Sequence, residues 1–291
     1  MWNCPSAEPV AVATSPASED HVSLSTRNFR SICDVIRQSC GIHITAKKKA
    51  LIEARMRRRM RALGIANPNQ YCSLLQEGDA DREELSLFID AVTTNKTDFF
   101  REPKHFDFLR QVLFPRYLAE GRRSLKFWSA AASTGAEAYT MAMVADDFFA
   151  DSVDYAVLAT DICSDVLVKG GQALYPDSMM EPVPEEYRRR YILVARDPDR
   201  REFRIAPHLR GRVQFRRLNL IDESYPFEQD FDVIFLRNVL IYFDRPTQKS
   251  VLTRLADHLR PGGHLFLGHS ETLAGTGLPL VPVASTIFAR R

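Results

Sequence analysis

Residues 93–106 read TTNKTDFFREPKHF. Hydroxyls, an amide, a lysine and a guanidinium (Thr93, Thr94, Asn95, Lys96, Thr97, Arg101) stand beside two adjacent phenylalanines, Phe99 and Phe100. Such a run suits a segment that is anchored by its aromatic pair while it presents donors to a ligand. Comparable chemistry recurs where regular elements should end. WSAAASTGAEAY, residues 128–139, runs from a strand through small residues and one glycine, Gly135, into a helix. Small residues let a ligand approach the backbone, and a helix N-terminus supplies unpaired amides. A diphosphate cradle would carry GxGxxG, and this loop does not. Glu137 falls in the first helical turn, where it opposes a phosphate and suits a cationic amino group. ATD, 159–161, sets Asp161 at the end of a second strand, the place where nucleotide-binding α/β folds hold ribose hydroxyls. A helix cap is the alternative reading of that aspartate. LNLID, 218–222, and LRNVLIYFD, 236–244, follow. The latter puts Arg237 and Asn238 at the carboxyl end of an apolar strand, with Tyr242 about one turn later. A buried arginine is costly unless paired, so a purely structural ion pair is the other reading of Arg237. Glu137 and Asp161 together point to an adenosine-bearing ligand with an amino group and no diphosphate, which S-adenosyl-L-methionine satisfies.

A second chemical feature is KKKALIEARMRRRMR, residues 47–61, with eight cations against one acid, Glu53. Ile52, Met56, Met60 and Leu63 share one helical face and form an expected core stripe. The remaining face is almost wholly cationic. A solvated face is the ordinary explanation, but unmixed sign favours an acidic partner, with Arg55, Arg58 and Arg59 as its contacts. Metal chemistry has little support. His208, His258, His264 and His269 are scattered, no HExxH occurs, and the five cysteines form no CxxC.

The elements that must position these groups divide the chain. Residues 1–22, rich in Ala, Pro, Ser and Glu, read as a disordered tail. Residues 23–90 show helical spacing throughout and predict a small helical bundle. Residues 91–104 form a linker contributing to the cofactor site. From 105 to 291 strand and helix patterns alternate, which predicts an α/β domain with a mostly parallel, doubly wound sheet. The alternation fails near 175–217, where a short helix and small β segments suggest an inserted β-subdomain. The chain of 291 residues is 45% hydrophobic, so it can bury a full core, and its net charge of +2 makes no global case for a nucleic-acid binder. Neither a signal peptide nor an apolar run of membrane-spanning length is visible, so a cytoplasmic protein without direct membrane insertion is expected.

TTNKTDFFREPKHF, FWSAAASTGAEAYTMAM, ATDICSDVL, LRNVLIYFD and GHSETL, in this order, resemble the chemotaxis receptor glutamate methyltransferases, the CheR family. The resemblance covers about residues 25–290. It implies a bacterial signal-transduction enzyme with an N-terminal helical domain and an S-adenosylmethionine-dependent methyltransferase fold bearing an inserted β-subdomain. Carried over by motif, it implies that Asn95, Thr97 and Arg101 contact the cofactor or the transferred methyl group. Glu137 would take the methionine amino group, Asp161 the ribose, and Asn219 and Leu220 the adenine, with Arg237 and Asn238 completing the pocket. The partner would be the acidic helices of a receptor cytoplasmic domain. Some members also dock a receptor C-terminal tether on the β-subdomain. Here ARDPDRREFRI lacks the glycines expected of that site. STGAEAY also departs from the family's frequent STGEEPY.

The implied reaction moves a methyl group from the sulfonium to a glutamate carboxylate, giving a methyl ester and S-adenosyl-L-homocysteine. A glutamate with a pKa near about 4.3 is already ionised at neutral pH, so no general base is required. Arg101 and Tyr242 are the expected orienting groups. Two rivals stand beside this reading. One is a methyltransferase on another acidic protein or on nucleic acid, against which the absence of an Asn-Pro-Pro-Tyr-like loop counts. The other is a cofactor-binding signalling module without catalysis.

Overall fold

The structure is a computed structural model that describes residues 24–76, 82–93, 95–197, 199–227, 230–273 and 277–291. The expected tail at 1–22 and Thr94 lie outside the described residues. The N-terminal region holds helices α1 (Thr26–Cys40), α2 (Lys49–Leu63, entered through a 3-10 turn Ala46–Lys48), α3 (Pro68–Gln76) and α4 (Arg82–Val92). Ser25 caps α1 by accepting from the Asn28 amide, and Gly41 ends it in the left-handed region. Phe29, Ile32 and Ile36 of α1 meet Ile52, Met56 and Met60 of α2, Tyr71 of α3 and Phe88 of α4 in one core.

Leu63 does not join that stripe and is 44% exposed. The physical reason is the helix stop. Gly64 turns left-handed, and the Ile65 amide reaches back to the Met60 carbonyl at 2.9 Å, so Ile65 packs against the core at that end instead.

The rest of the chain is built on a seven-stranded sheet. Its strands are β1 (Ser124–Ala130), β2 (Asp154–Asp161), β6 (Val213–Arg217), β7 (Phe231–Leu236), β8 (Leu259–Leu267), β9 (Leu280–Ala284) and β10 (Ile287–Arg290), in the order β6-β2-β1-β7-β8-β10-β9. The first five are mutually parallel, and β10 runs antiparallel to both β8 and β9. Strand alternation divides the core between the two sheet faces. Phe127, Val233 and Phe235 pack on one face with Met141 and Val144 of α7 (Ala136–Phe149). Trp128, Ile234 and Leu236 pack on the other with Val251, Leu252 and Leu255 of α11 (Arg245–His258). Every residue of β7 is buried, which explains the apolar run Val233–Leu236, while the buried Asp232 carboxylate in the same strand is answered by Arg122 and Arg260.

Before β1 lie α5 (Lys104–Phe108) and α6 (Phe114–Ala119), joined by a π turn, and between β2 and β6 lie α8 (Ser164–Gln172), α9 (Glu185–Tyr191) and α10 (Pro207–Arg210). A separate antiparallel sheet, β3-β5-β4, is formed by β3 (Leu174–Pro176), β4 (Ile192–Val194) and β5 (Glu202–Ile205). The insertion is therefore narrower than 175–217. Val213–Arg217 belongs to the main sheet, where it pairs in parallel with Val157–Asp161. A five-residue strand directly behind the insertion carries no pattern of its own that separates it from the small β segments.

Candidate active site

Open α/β sheets bind ligands at the carboxyl ends of the strands, where strand order reverses. Here the reversal lies between β1 and β7, since β1 leads outward to β2 and β7 to β8. An open cavity, with about 1030 Å³ of empty space counting the solvent at its mouth, sits there. Asn95, Thr97, Arg101, Glu137, Asp161, Asn219, Leu220, Arg237, Asn238 and Tyr242 all line it. The helical bundle closes it from the far side with Cys40, Ile42, Lys48 and Val92.

The loops around this cavity are conformationally constrained. Phe100, Glu102, Ala131, Ser133 and Asn238 all adopt left-handed backbone (φ 52, 57, 63, 51 and 60°). Each such non-glycine residue costs on the order of 1 kcal/mol and persists only where the surroundings hold it. The aromatic pair supplies part of that hold. Phe99 is fully buried against Tyr175 (centroids 4.9 Å apart) and Phe203, while Phe100 packs on Phe106 and Tyr187. Gly135 opens α7 at φ 86°, and a Cβ there would stand 2.6 Å from the Phe215 ring. Only glycine fits that approach.

Asp161 at the end of β2 accepts from the Ser133 amide at 2.8 Å and the Cys163 amide at 3.0 Å. It is not the side-chain cap of α8, whose cap residue is Cys163. Burial pushes its pKa up, and the backbone hydrogen bonds oppose that rise. The Ile162 backbone adds to this support, and a carboxylate with about four acceptor directions keeps capacity for a further donor.

Glu137 and Arg237 form a buried ion pair, with Nε to Oε2 at 2.8 Å, and Glu137 Oε1 accepts from the Ser129 hydroxyl at 2.6 Å. Arg237 also donates to the Arg101 carbonyl at 2.7 Å and meets His105 Nδ1 at 3.0 Å. Its guanidinium lies near the Phe106 and Phe235 rings. The arginine is thus spent on protein partners and fixes the 101–105 segment to the sheet. The structural reading of Arg237 describes its contacts, although it also lines the cavity.

Asn219 donates from Nδ2 to the Ser39 carbonyl at 2.7 Å, and the Tyr242 carbonyl accepts from the His43 amide at 2.8 Å. These bonds seat the helical bundle on the α/β domain. Asn238 is held through Glu271, whose carboxylate accepts from the amides of Gly268, Asn238, Val239 and Leu240 at 2.7–3.0 Å. Glu271 was missed as a functional residue, although GHSETL contains it; a lone glutamate in a loop does not announce four backbone partners. Lys48 belongs to the cationic run 47–61, yet its Nζ stands 5.1 Å from the Tyr242 ring centre and it lines the cavity.

Arg55, Arg58 and Arg59 lie outside this cavity, in an adjoining groove that also includes Cys163, Asp165 and Lys169 and shares Thr93 and Asn95 with it. Arg59 is a correction. It grips Glu84 through Nε at 3.0 Å and Nη2 at 2.5 Å, and the Tyr71 hydroxyl reaches the same carboxylate at 2.6 Å. That clamp ties α2 to α3 and α4, so Arg59 is not a free docking cation. Arg58 is exposed and Arg55 half-buried, and neither has an ion-pair partner among the described residues.

Glu102, His105 and His269 gather with their ligand atoms within 4.8 Å. The Arg237 guanidinium occupies the Nδ1 side of His105 at 3.0 Å, and Thr286 takes its Nε2 at 2.9 Å. A fixed cation at that nitrogen makes the trio a hydrogen-bond network rather than a cation site.

The cavity fits S-adenosylmethionine on its own chemistry. It offers an acid at the end of β2, a second acid at the α7 N-terminus, backbone at Ala131 and Ser133, and apolar walls at Ile162, Leu218, Leu220 and Phe243. Residues 95–286 match the family described as CheR methyltransferase, SAM binding domain, and residues 27–93 match its all-alpha domain. The chain is 39% identical to a chemotaxis protein methyltransferase of Klebsiella aerogenes, over 86% of this chain and 85% of that one. It is 37% identical to one of Salmonella typhimurium (92% and 91%) and 36% identical to one of Escherichia coli (93% and 93%). No helix among the described residues is long and apolar enough to cross a membrane. With both family domains in place and that cavity between them, the chain belongs to the CheR methyltransferase family and is an S-adenosylmethionine-dependent methyltransferase.

Proposed function

We propose that this enzyme methylates glutamate side chains on the acidic helices of a chemotaxis receptor's cytoplasmic domain, giving methyl esters, and that it works in the cytoplasm. The observation that carries this is the absence of an available base among the described residues lining the cavity. No histidine lines it. Glu137 is engaged by Arg237 and Ser129, and Asp161 by two amides. Burial pushes the Cys40 thiol up to about 11. A nucleophile entering this site must arrive already ionised, as a carboxylate does.

When bound, S-adenosylmethionine supplies an electrophilic methyl group. Asp161 would hold its ribose and Glu137 its amino group, while Asn219 and Leu220 flank the adenine and Asn95, Thr97 and Asn238 line the remainder. Arg101, whose Nη1 reaches the Lys96 carbonyl at 3.3 Å, and Tyr242 orient the incoming carboxylate. Exclusion of water by the bundle strips the nucleophile, and positioning does the rest. Arg55 and Arg58 draw the acidic helix to the adjoining groove. On the β-subdomain, β4 is an edge strand with Leu193 and Val194 exposed. An extended receptor tether can add there as a further strand.

The test is labelled methyl transfer to a purified receptor cytoplasmic fragment. The label should leave in mild alkali as methanol. Label that survives alkali excludes a carboxyl ester. Competition by a peptide matching the receptor's C-terminus checks the tether, and transfer that is indifferent to saturating peptide removes it.

A further inference from the structure

Lys48 stands apart from the other cations of α2 and the turn before it. It is half-buried, it lines the cofactor cavity, and its ammonium lies 5.1 Å from the centre of the Tyr242 ring. No carboxylate pairs with it among the described residues. The neighbouring Lys49, by contrast, pairs with Glu53 at 3.7 Å. Among the described residues four cations line the cavity: Lys48, Lys96, Arg101 and Arg237. Arg237 is consumed by Glu137, His105 and the Arg101 carbonyl. Lys96 is exposed. Arg101 and Lys48 are therefore the half-buried positive groups left with charge to offer an incoming anion. They come from different segments, Arg101 from the segment after the bundle and Lys48 from the bundle itself.

We infer that Lys48 is a second cation on the substrate carboxylate, acting beside Arg101 and Tyr242 in the methyl transfer. This rests on the glutamate reading above. An ammonium over a phenol ring is held by attraction to the ring face while its donors stay free. It can then swing to a carboxylate that reaches the hydroxyl end of Tyr242. A lysine suits this place because it is a compact charge with rotatable donors, which steers an anion without clamping it in one ground-state geometry. The placement also joins two events. Lys48 immediately precedes α2, whose Arg55 and Arg58 face the docking groove. A receptor helix seated on α2 is thereby next to a residue that completes the chemical site. The seating of the bundle on the sheet, through Asn219 to Ser39 and His43 to Tyr242, decides whether Lys48 is in position.

The experiment uses the full chain, a receptor cytoplasmic fragment and labelled S-adenosylmethionine. Lys48→Gln should lower kcat by at least about tenfold at saturating receptor, with cofactor affinity by calorimetry unchanged within about twofold. Lys48→Arg should recover most of that loss, because charge is the required property. Arg58→Gln should instead raise KM for receptor and leave kcat nearly intact. A Lys48→Gln enzyme with wild-type kcat overturns the proposal. So does a loss confined to KM, which makes Lys48 one more docking cation, and so does a loss of cofactor affinity, which makes it part of the cofactor wall. Equal damage from Gln and Arg also overturns it. Alkali-stable label from the wild-type enzyme would sink the glutamate reading itself, whatever the variants show.

Discussion

Replacing Glu137 by glutamine tests the cofactor assignment and the buried pair together. The amide is isosteric, so its oxygen can still accept from Arg237 Nε and its NH2 can donate to the Ser129 hydroxyl, preserving both hydrogen bonds seen at 2.8 and 2.6 Å. What disappears is the negative charge facing an arginine whose side chain is 2% exposed. Removing one partner of a buried ion pair typically costs about 3–5 kcal/mol. Retained hydrogen bonds, the rings of Phe106 and Phe235, and Glu102 at 3.9 Å place the expected loss at the lower end, about 3 kcal/mol. Denaturant unfolding measures it. Cofactor binding is a separate quantity. If Glu137 also accepts from the ligand's amino group, a charge-assisted hydrogen bond of roughly 1.5–3 kcal/mol is lost, or about 10- to 150-fold in affinity. Calorimetry with S-adenosylhomocysteine and with methylthioadenosine separates the two effects. The first has the amino group and the second does not. The variant should weaken the first by at least about tenfold more than the second. Equal weakening would show that Glu137 serves the cavity only through Arg237 and would refute its assignment to the amino group.

Asp161→Ala should weaken cofactor binding by at least about tenfold, since it removes ribose acceptors and loosens the Ser133 and Cys163 amides; unchanged affinity in a folded variant removes it from the site. Arg58→Glu should keep stability, raise KM for receptor and flatten its salt dependence, whereas Arg59→Glu should destabilise the bundle by about 3 kcal/mol by setting two carboxylates together. Equal stability of the two variants would contradict the Arg59–Glu84 clamp. His105 and His264 are each pushed down to about 4, by burial first and by neighbouring arginines second. Both stay neutral in the fold while the unfolded chain takes up protons near pH 6.5, so their contribution is complete above pH 6.5 and is lost as pH falls toward 4. Each is worth up to about 3 kcal/mol. Urea unfolding at pH 7.5 and 4.5 measures the loss, and a His264→Phe variant should shed its share of the slope; a wild-type stability that does not fall over that interval refutes the assignment.

The site was legible where chemistry demands a residue type at the end of a strand. An acid after β2, small residues before α7, and an arginine–asparagine pair after β7 are each tied to local sequence, because a strand end and the loop beyond it are contiguous. The aromatic pair at 99–100 was legible for the same reason: buried rings next to exposed polar groups have few explanations. What stayed hidden depends on partners far away in the chain. Arg59 looks like Arg55 and Arg58 until Glu84, 25 residues on, comes within 3.0 Å. Arg237 reads equally well as a ligand contact or as an ion pair until Glu137, 100 residues earlier, is seen beside it. Glu271 collects amides from two loops, and backbone donors carry no sequence signature at all. Lys48 and Lys49 are adjacent and chemically identical, yet one pairs along its own helix and the other enters the cavity, because a 3-10 turn ends between them and the helix that follows sets a different direction. Charge runs therefore define a candidate surface, while the assignment of each cation to docking, to packing or to chemistry needs the carboxylate that does or does not answer it. In this protein that answer separates Arg59, which holds the bundle together, from Arg58, which faces outward, and from Lys48, which lines the cavity.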